Sequence, residues 1–220
     1  GQGFIRARDV TALARPRLRA LTARWGETTS LYLEGDAGLI CVAQAESRQM
    51  VRAVARVGGT VALHCSAAGK AWLAALPAPD LEALDYGRRT DRTLTSPAAL
   101  GAAISATRAQ GWGVDDEELV EGVRCAAAAI LDQDGRPIAA LSISGPIGRV
   151  TPQHLATLGA AVAAPRLLAR RTTGLACAGL MALAVLVRPP TPGWPSDDWV
   201  LAACDVGQGD AFVLRASDAE

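Results

Sequence analysis

The feature of the sequence that most restricts its fold is a β-hairpin signal in the second half of the chain. Two apolar runs, Val123 to Leu131 and Pro137 to Ser144, flank the turn residues Asp132 to Gly135. An Asp-Gly turn between apolar runs favours two antiparallel strands, because its residues accept the backbone angles that a tight hairpin turn needs. Residues 28–33 and 39–45 repeat the strand–turn–strand pattern near the amino terminus. The sequence therefore predicts an antiparallel sheet.

Helix signals lie before, between and after these strands. Ser66 precedes a run of small residues and Ser96 precedes Pro97, and both serines are suited to cap the first turn of a helix. Gly111 is placed to end the second of these helices. We expect helices over residues 9–25, 67–76 and 97–110 and from Thr151-Pro152 onward, a third strand over residues 51–57, and a short strand over residues 112–115. The fold class is α+β, an antiparallel sheet with helices packed on it.

Charge and cysteine content exclude several classes of function. The sequence has 22 basic and 22 acidic residues, so this chain carries no electrostatic signature of nucleic-acid binding. Five scattered cysteines without a CxxC pair and only two histidines argue against a disulfide framework, a zinc site or any other metal site. Residues 1–9 are polar and basic and do not resemble a signal peptide. We expect a cytoplasmic protein with reduced cysteines and no cofactor.

The chain changes character after Ala164. Residues 172–187 carry no charge, although this stretch is slightly shorter than a typical membrane span. A linker rich in Pro, Gly and Trp follows, and then a strand–turn–strand pattern over residues 200–214. We expect a hydrophobic helix over 165–190, which leaves membrane association open, and a truncated β segment over 191–220.

Two groups of residues could bind a small oxygenated ligand. At the start of the helix that follows Ser66, the backbone amides of Ala67 and Ala68 lack helical partners and could hold an anion. Ser142 and Ser144 are two residues apart on a predicted strand, so their hydroxyls point to the same side. Small residues that allow tight helix packing, and a solvated strand face, explain the same patterns equally well.

The remaining polar residues give weaker signals. The acidic run 115–118 is typical of a solvated loop and lacks the spacing of a calcium site. Gly69-Lys70 lacks the rest of a phosphate-binding loop. Cys125 has no neighbouring pattern of a catalytic thiol, so the sequence predicts no catalytic residue and no enzyme.

Three blocks resemble the effector-binding domain of IclR-type transcriptional regulators. They are VGGTVALHCSAAGKAWLAALP, GWGVDDEELVEGVRCAAAAILDQDGRPIAALSISGP and RVTPQHLATLGAAV, and ARPRLRALTARWGETTSLYLEGD resembles the entry to that domain. The resemblance covers about residues 4–164. It implies a linker helix over 1–25 and a GAF-like (profilin-like) domain over 26–164. It also implies a small organic acid effector and a homodimer or homotetramer.

The same resemblance assigns roles to particular residues. The amides of Ala67 and Ala68 would hold the effector carboxylate, assisted by the hydroxyls of Ser142 and Ser144. The other implied site residues are Asp115 as a hydrogen-bond acceptor, Cys125 as the floor, and Val61 and Val123 as apolar walls. None of these side chains is basic, so a phosphate ester is disfavoured. The winged helix-turn-helix of the family has no counterpart in the 220 residues, so DNA binding would need a domain outside this chain.

A second resemblance concerns residues 165–217. The motif Asp205-Val-Gly-Gln-Gly-Asp210 is similar to the start of the metallo-β-lactamase-like domain in ComEC-type DNA-uptake channel proteins, and the preceding apolar stretch to their last membrane segment. The metal-binding HxHxDH block is missing. The alternative interpretation is therefore a membrane-associated fragment of competence machinery.

Overall fold

A six-stranded antiparallel sheet forms the centre of the fold. The computed structural model describes residues 2–36 and 38–164. The strands are β1 (Thr28–Gly35), β2 (Gly38–Ala45), β3 (Thr60–Val61), β4 (Gly113–Asp116), β5 (Val123–Leu131) and β6 (Pro137–Pro146), in the spatial order β3-β2-β1-β6-β5-β4. Two hairpins, β1–β2 and β5–β6, are therefore joined side by side through β1 and β6. This arrangement confirms the predicted α+β class with an antiparallel sheet.

Among the described residues, four helices pack on the sheet or on one another. They are α1 (Gln2–Trp25), α2 (Ala67–Ala75), α3 (Pro97–Gln110) and α4 (152–164). Leu18 of α1 and Leu158 of α4 pack with Leu141 and Ile143 of β6 on one face. On the other face, which we call the α2 face, α2 packs against Ala127 of β5 and Ala140 of β6. Successive strand residues thus alternate between two buried faces, as the pleat of a strand requires.

The helix ends follow the local signals in the sequence. Ser66 Oγ accepts a hydrogen bond from the Gly69 backbone N–H at 3.0 Å. Ser96 Oγ accepts one from Ala99 in the same way, at 3.3 Å. Gly111 ends α3 with a φ of 93°, a left-handed conformation that glycine adopts without strain. α1 begins at Gln2, earlier than the start near Asp9 that the residue pattern predicted, whereas the family resemblance implied a linker helix over 1–25.

The predicted third strand over residues 51–57 is wrong. The segment has no strand structure, and Met50, Val51, Val54 and Val57 have more than half of their surface exposed. The strand beside β2 is instead Thr60–Val61. The edge is extended by two backbone hydrogen bonds, from the Cys41 N–H to the Gly59 carbonyl and from the Gly58 N–H to the Cys41 carbonyl. Apolar alternation favours a strand only where one side chain in two finds a core, and the valines of this segment are exposed.

No helix within residues 2–36 and 38–164 is long and apolar enough to cross a membrane. The expected hydrophobic helix over 165–190, the candidate membrane contact at 172–187 and the β segment over 191–220 all lie outside the described residues. The domain division after residue 164 therefore stays a prediction.

Candidate ligand-binding site

Two rows of cross-strand neighbours bring most of the predicted site residues onto the α2 face. Residues paired across antiparallel strands point to the same side of the sheet. The first row runs through Asp115, Cys125, Ser144 and Thr28, and the second through Gly113, Ala127, Ser142 and Ser30. The predicted residues of β4, β5 and β6 are therefore direct neighbours, although they lie up to 29 positions apart in sequence.

Gly113 allows the start of α2 to approach this surface. A Cβ atom on Gly113 would overlap the carbonyl oxygen of Ala67 and lie 2.9 Å from the backbone nitrogen of Ala71. Ala67 and Ala68 pack in the same buried cluster as Ala127, and Cys125 packs against that cluster. The first turn of α2 therefore lies directly over the row that contains Ser142.

The first turn of α2 leaves two backbone donors without a protein acceptor. The N–H of Gly69 is bonded to Ser66 Oγ, and the N–H of Lys70 donates to the Ser66 carbonyl at 3.0 Å. Among the described residues, no acceptor lies within hydrogen-bond distance of the N–H groups of Ala67 and Ala68. Both residues are buried, so these donors are withdrawn from bulk water.

Ser142 presents a buried hydroxyl without a hydrogen bond. The residue is 2% exposed, and its Oγ makes no hydrogen bond in the part of the chain that the structure describes, although the Tyr32 hydroxyl lies nearby. A buried hydroxyl without a partner costs roughly 1–3 kcal/mol, so proteins rarely keep one without a reason. Ser144 is half-buried, and its hydroxyl lowers the pKa of the neighbouring Cys125 thiol, in opposition to the effect of burial.

Asp115 is buried, which corrects the expectation that residues 115–118 form a solvated loop. It is 1% exposed, and its Oδ1 accepts hydrogen bonds from the backbone N–H groups of Glu118 at 2.8 Å and Leu119 at 3.3 Å. Burial raises the pKa of Asp115 to about 7, against the opposing effects of those hydrogen bonds and of Lys70. Around neutral pH the carboxyl group is therefore divided between its acid and its carboxylate.

Cys125 contributes a neutral thiol to the same surface. Burial raises its pKa well above the ordinary value, and the negative charge of Asp115 raises it further. Because the thiolate is the nucleophilic form of cysteine, this environment suppresses nucleophilic chemistry. The thiol can line the floor of a site as a small, weakly polar group.

The two predicted wall residues are placed less centrally. Val61 packs against the α2-face cluster, but it lies on β3, which three strands separate from β5 in the sheet. Val123 lies two residues before Cys125 at the start of β5, where it pairs with Pro146. It points to the α2 face, because residues two apart on a strand share a face.

The sequence analysis missed a buried ion pair beside the site. Lys70 Nζ of α2 lies 2.5 Å from Glu118 Oε1, and the side chains are 3% and 12% exposed. A basic side chain therefore lies beside the predicted site, although the charge of Lys70 is offset by Glu118. A signal existed, since Lys70 is the one Lys, Arg, Asp or Glu between Arg56 and Asp80.

Tyr32 on β1 was also missed. It is 6% exposed and packs in the α2-face cluster with Ala67, Ala68 and Ala140. Burial raises the pKa of its phenol, and the nearby hydroxyls of Ser142 and Ser30 oppose that shift. The alternation of Thr28, Ser30 and Tyr32 along β1 was the signal that could have placed all three on one polar face.

Comparison with known proteins identifies the family. A family model described as the C-terminal domain of the bacterial transcriptional regulator IclR matches residues 2–166. The acetate operon repressor of Salmonella typhimurium strain LT2 is 38% identical over 168 residues, which are 74% of this chain and 61% of the repressor. This chain thus spans about three fifths of the length of that relative.

Solved structures show the same fold. The IclR protein of Thermotoga maritima superposes with a TM-score of 0.68 at 29% identity, over 72% of this chain and 66% of that chain. The inducer-binding domain of a double mutant of the Acinetobacter transcription factor PobR, in complex with 3-hydroxybenzoic acid, superposes with a TM-score of 0.60 at 25% identity, over 70% of this chain and 93% of that chain.

These matches confirm the resemblance on which the site prediction was based, and the family match ends at residue 166. The resemblance of residues 165–217 to DNA-uptake proteins lies almost entirely beyond it and outside the described residues. The expectation of a regulatory domain rather than an enzyme is confirmed by the family. The chain belongs to the IclR family of bacterial transcriptional regulators, and residues 2–166 correspond to the C-terminal domain of that family.

Proposed function

We propose that this domain senses a small organic acid, which binds between the first turn of α2 and the α2 face of strands β4 to β6. In this proposal the amides of Ala67 and Ala68 hold the carboxylate and the hydroxyls of Ser142 and Ser144 hold a second oxygen. Asp115 accepts from a donor on the ligand, and Cys125, Val61 and Val123 supply the less polar surface.

The buried Ser142 hydroxyl is the observation that carries the proposal. It has no hydrogen-bond partner among the described residues, and the unpaired amides of α2 face the same strands. Backbone amides at a helix start favour an anion, because the helix dipole adds a partial positive charge there. A hydroxyl can donate or accept, so it suits a carbonyl, hydroxyl or carboxylate oxygen equally.

The charges around the site favour a singly charged ligand. Lys70 is bound to Glu118, and Asp115 adds negative charge as the pH rises. A phosphate ester would bring a second negative charge close to both carboxyl groups, while the charge of Lys70 is already offset by Glu118. A monocarboxylic acid meets a smaller electrostatic cost.

The experiment is a thermal-unfolding screen of the 220-residue chain against a panel of organic acids that includes pyruvate, glyoxylate and hydroxybenzoates. An acid present at 100 times its Kd should stabilise the chain by about 2.7 kcal/mol and raise the melting temperature accordingly. The double substitution Ser142→Ala and Ser144→Ala should abolish that shift.

Ser105→Ala is the matched control. The hydroxyl of Ser105 lies on the exposed surface of α3, where it donates to the Gly101 carbonyl at 2.9 Å, and its loss should leave the shift intact. If no acid of the panel moves the melting temperature of the unmodified chain or of the Ser105→Ala variant, the result would count against the sensing function. An equal shift of the melting temperature in the unmodified chain and in the double variant would show that the ligand binds elsewhere.

Self-association and DNA binding complete the proposal. Met50 is 95% exposed and Val51 68%, and such apolar side chains are suited to contact a second copy of the domain in a homodimer or homotetramer. Sedimentation analysis of the chain tests this expectation. DNA would be contacted through a winged helix-turn-helix domain outside this chain, in the cytoplasm.

A further inference from the structure

We propose that Tyr32 is the residue that sets the specificity of this site. Its ring limits the site to short acids, and its hydroxyl forms a hydrogen bond with an oxygen next to the ligand carboxylate. This inference rests on the proposed function, because it assigns a role within the same site.

The register of the sheet places Tyr32 beside the unpartnered hydroxyl of Ser142. Tyr32 pairs with Ala140 across β1 and β6, and Ser30 pairs with Ser142. Tyr32 and Ser142 are therefore diagonal neighbours on the same face, a separation of roughly 7–8 Å between backbones that an aromatic side chain spans. A ligand oxygen at Ser142 thus lies within reach of the Tyr32 hydroxyl.

Tyr32 is a bulky side chain among small neighbours beside Ser142. The neighbours that join the first turn of α2 to β5 and β6 are small: Ala67, Ala68, Ala127 and Ala140. Alanine side chains take up little volume, whereas the Tyr32 ring in the same cluster is bulky and holds a fixed geometry. In this proposal the ring therefore limits the length of the acid that fits.

Tyr32 is also a dependable hydrogen-bond donor. Burial raises the pKa of its phenol, the thiols of Cys125 and Cys41 raise it further, and the hydroxyls of Ser142 and Ser30 lower it. The phenol consequently keeps its proton at physiological pH. A neutral donor favours a keto or hydroxyl oxygen on the ligand without adding charge to the site.

The test measures the Kd of three acids by calorimetry, for the unmodified chain and for the variants Tyr32→Phe and Tyr32→Ala. The probes are propanoate, pyruvate with its 2-oxo group, and the bulkier 3-hydroxybenzoate. Tyr32→Phe should weaken pyruvate binding about 3- to 10-fold, the effect of one neutral hydrogen bond, and leave propanoate unchanged. Tyr32→Ala should bind 3-hydroxybenzoate at least about tenfold more tightly than the unmodified chain does, because the ring no longer fills the space.

Tyr86→Phe is the control. The Tyr86 hydroxyl donates to the Leu81 carbonyl at 2.8 Å, away from the sheet, and its removal should change none of the three constants. Equal weakening of pyruvate and propanoate by Tyr32→Phe would indicate a merely structural role and overturn the inference while leaving the proposed function standing. If the unmodified chain and both Tyr32 variants bind none of the acids, both proposals fall. Tyr32→Phe differs from the native residue by one oxygen, so the test remains decisive even if Tyr32→Ala does not fold.

Discussion

Lys70 and Glu118 form an ion pair that α2 and the turn after β4 enclose, with Nζ 2.5 Å from Oε1. The two residues are 48 positions apart in sequence. The second carboxylate oxygen of Glu118 is buried without a hydrogen-bond partner in the part of the chain that the structure describes. Asp115 lies close enough to Lys70 for the positive charge to lower the Asp115 pKa, in opposition to the effect of burial. The pair therefore joins the helix that supplies the site amides to the strand end that supplies Asp115.

Lys70→Met should destabilise the domain strongly. The substitution keeps the length of the side chain but leaves the carboxylate of Glu118 buried and unpaired, which costs about 3–5 kcal/mol. Urea unfolding at pH 7 measures this loss. Arg88→Met is the control, because the Arg88–Asp91 pair is 3.7 Å long with side chains 60% and 100% exposed, and its loss should have little effect on the free energy of unfolding. Similar losses for the two variants would show that the buried pair contributes no more than a surface contact.

Asp115→Asn should change how stability depends on pH. The folded pKa of about 7 lies above the roughly 3.9 of an unfolded aspartate, so the folded chain holds a proton that the unfolded chain has lost. This contribution to folding is complete below about pH 4 and disappears as the pH rises through about 7. The asparagine side chain of the variant would stay neutral and could still accept the N–H bonds of Glu118 and Leu119.

The variant should therefore gain free energy of unfolding relative to the unmodified chain between pH 4 and pH 7, by at most about 1.4 kcal/mol per pH unit. Urea titrations at several pH values measure the difference. Asp91→Asn, whose carboxylate is fully exposed, should give a curve parallel to that of the unmodified chain. A difference between the Asp115→Asn and unmodified chains that does not vary with pH would contradict the raised pKa.

Ser142→Ala should leave the stability of the ligand-free chain unchanged within about 0.5 kcal/mol, or increase it. The hydroxyl is buried without a hydrogen bond, so its removal relieves a desolvation cost and breaks no hydrogen bond. Thr29→Val is the matched control, because Thr29 Oγ1 donates to the Leu18 carbonyl at 2.8 Å in a fully buried position. That variant should lose about 1 kcal/mol in chemical denaturation. A large loss for Ser142→Ala would reveal a structural role for its hydroxyl.

Gly113→Ala should push α2 away from the sheet. The new methyl group would meet backbone atoms of Ala67 and Ala71, which cannot move independently of the helix, so we expect a loss of about 1–3 kcal/mol. Gly101→Ala in α3 is the control. There the nearest atom to a new Cβ would be Leu81 Cδ1 at 3.8 Å, and the variant should gain about 0.5–1 kcal/mol from helix propensity. Calorimetric melting of the two variants compares these effects directly, and equal melting temperatures would contradict the close packing.

Local patterns were enough to predict much of the fold. The Asp-Gly turn predicted the β5–β6 hairpin, and Ser66, Ser96 and Gly111 predicted helix ends that the structure confirms. The alternation along β6 also predicted that Ser142 and Ser144 share one face while Leu141 and Ile143 share the other. Each signal lies within a few residues, because backbone angles and side-chain periodicity are properties of a short segment.

The failures concern relationships between distant segments. Residues 51–57 have the alternation of a strand but form none, and Asp115 lies in an acidic run but is buried. The sequence by itself therefore determined the hairpins, the helix caps, the family and the list of candidate site residues. Only the tertiary structure decided that Lys70 meets Glu118 and that Tyr32 lies beside Ser142. Burial and pairing across tens of residues arise from how whole elements pack, and no local pattern contains that information.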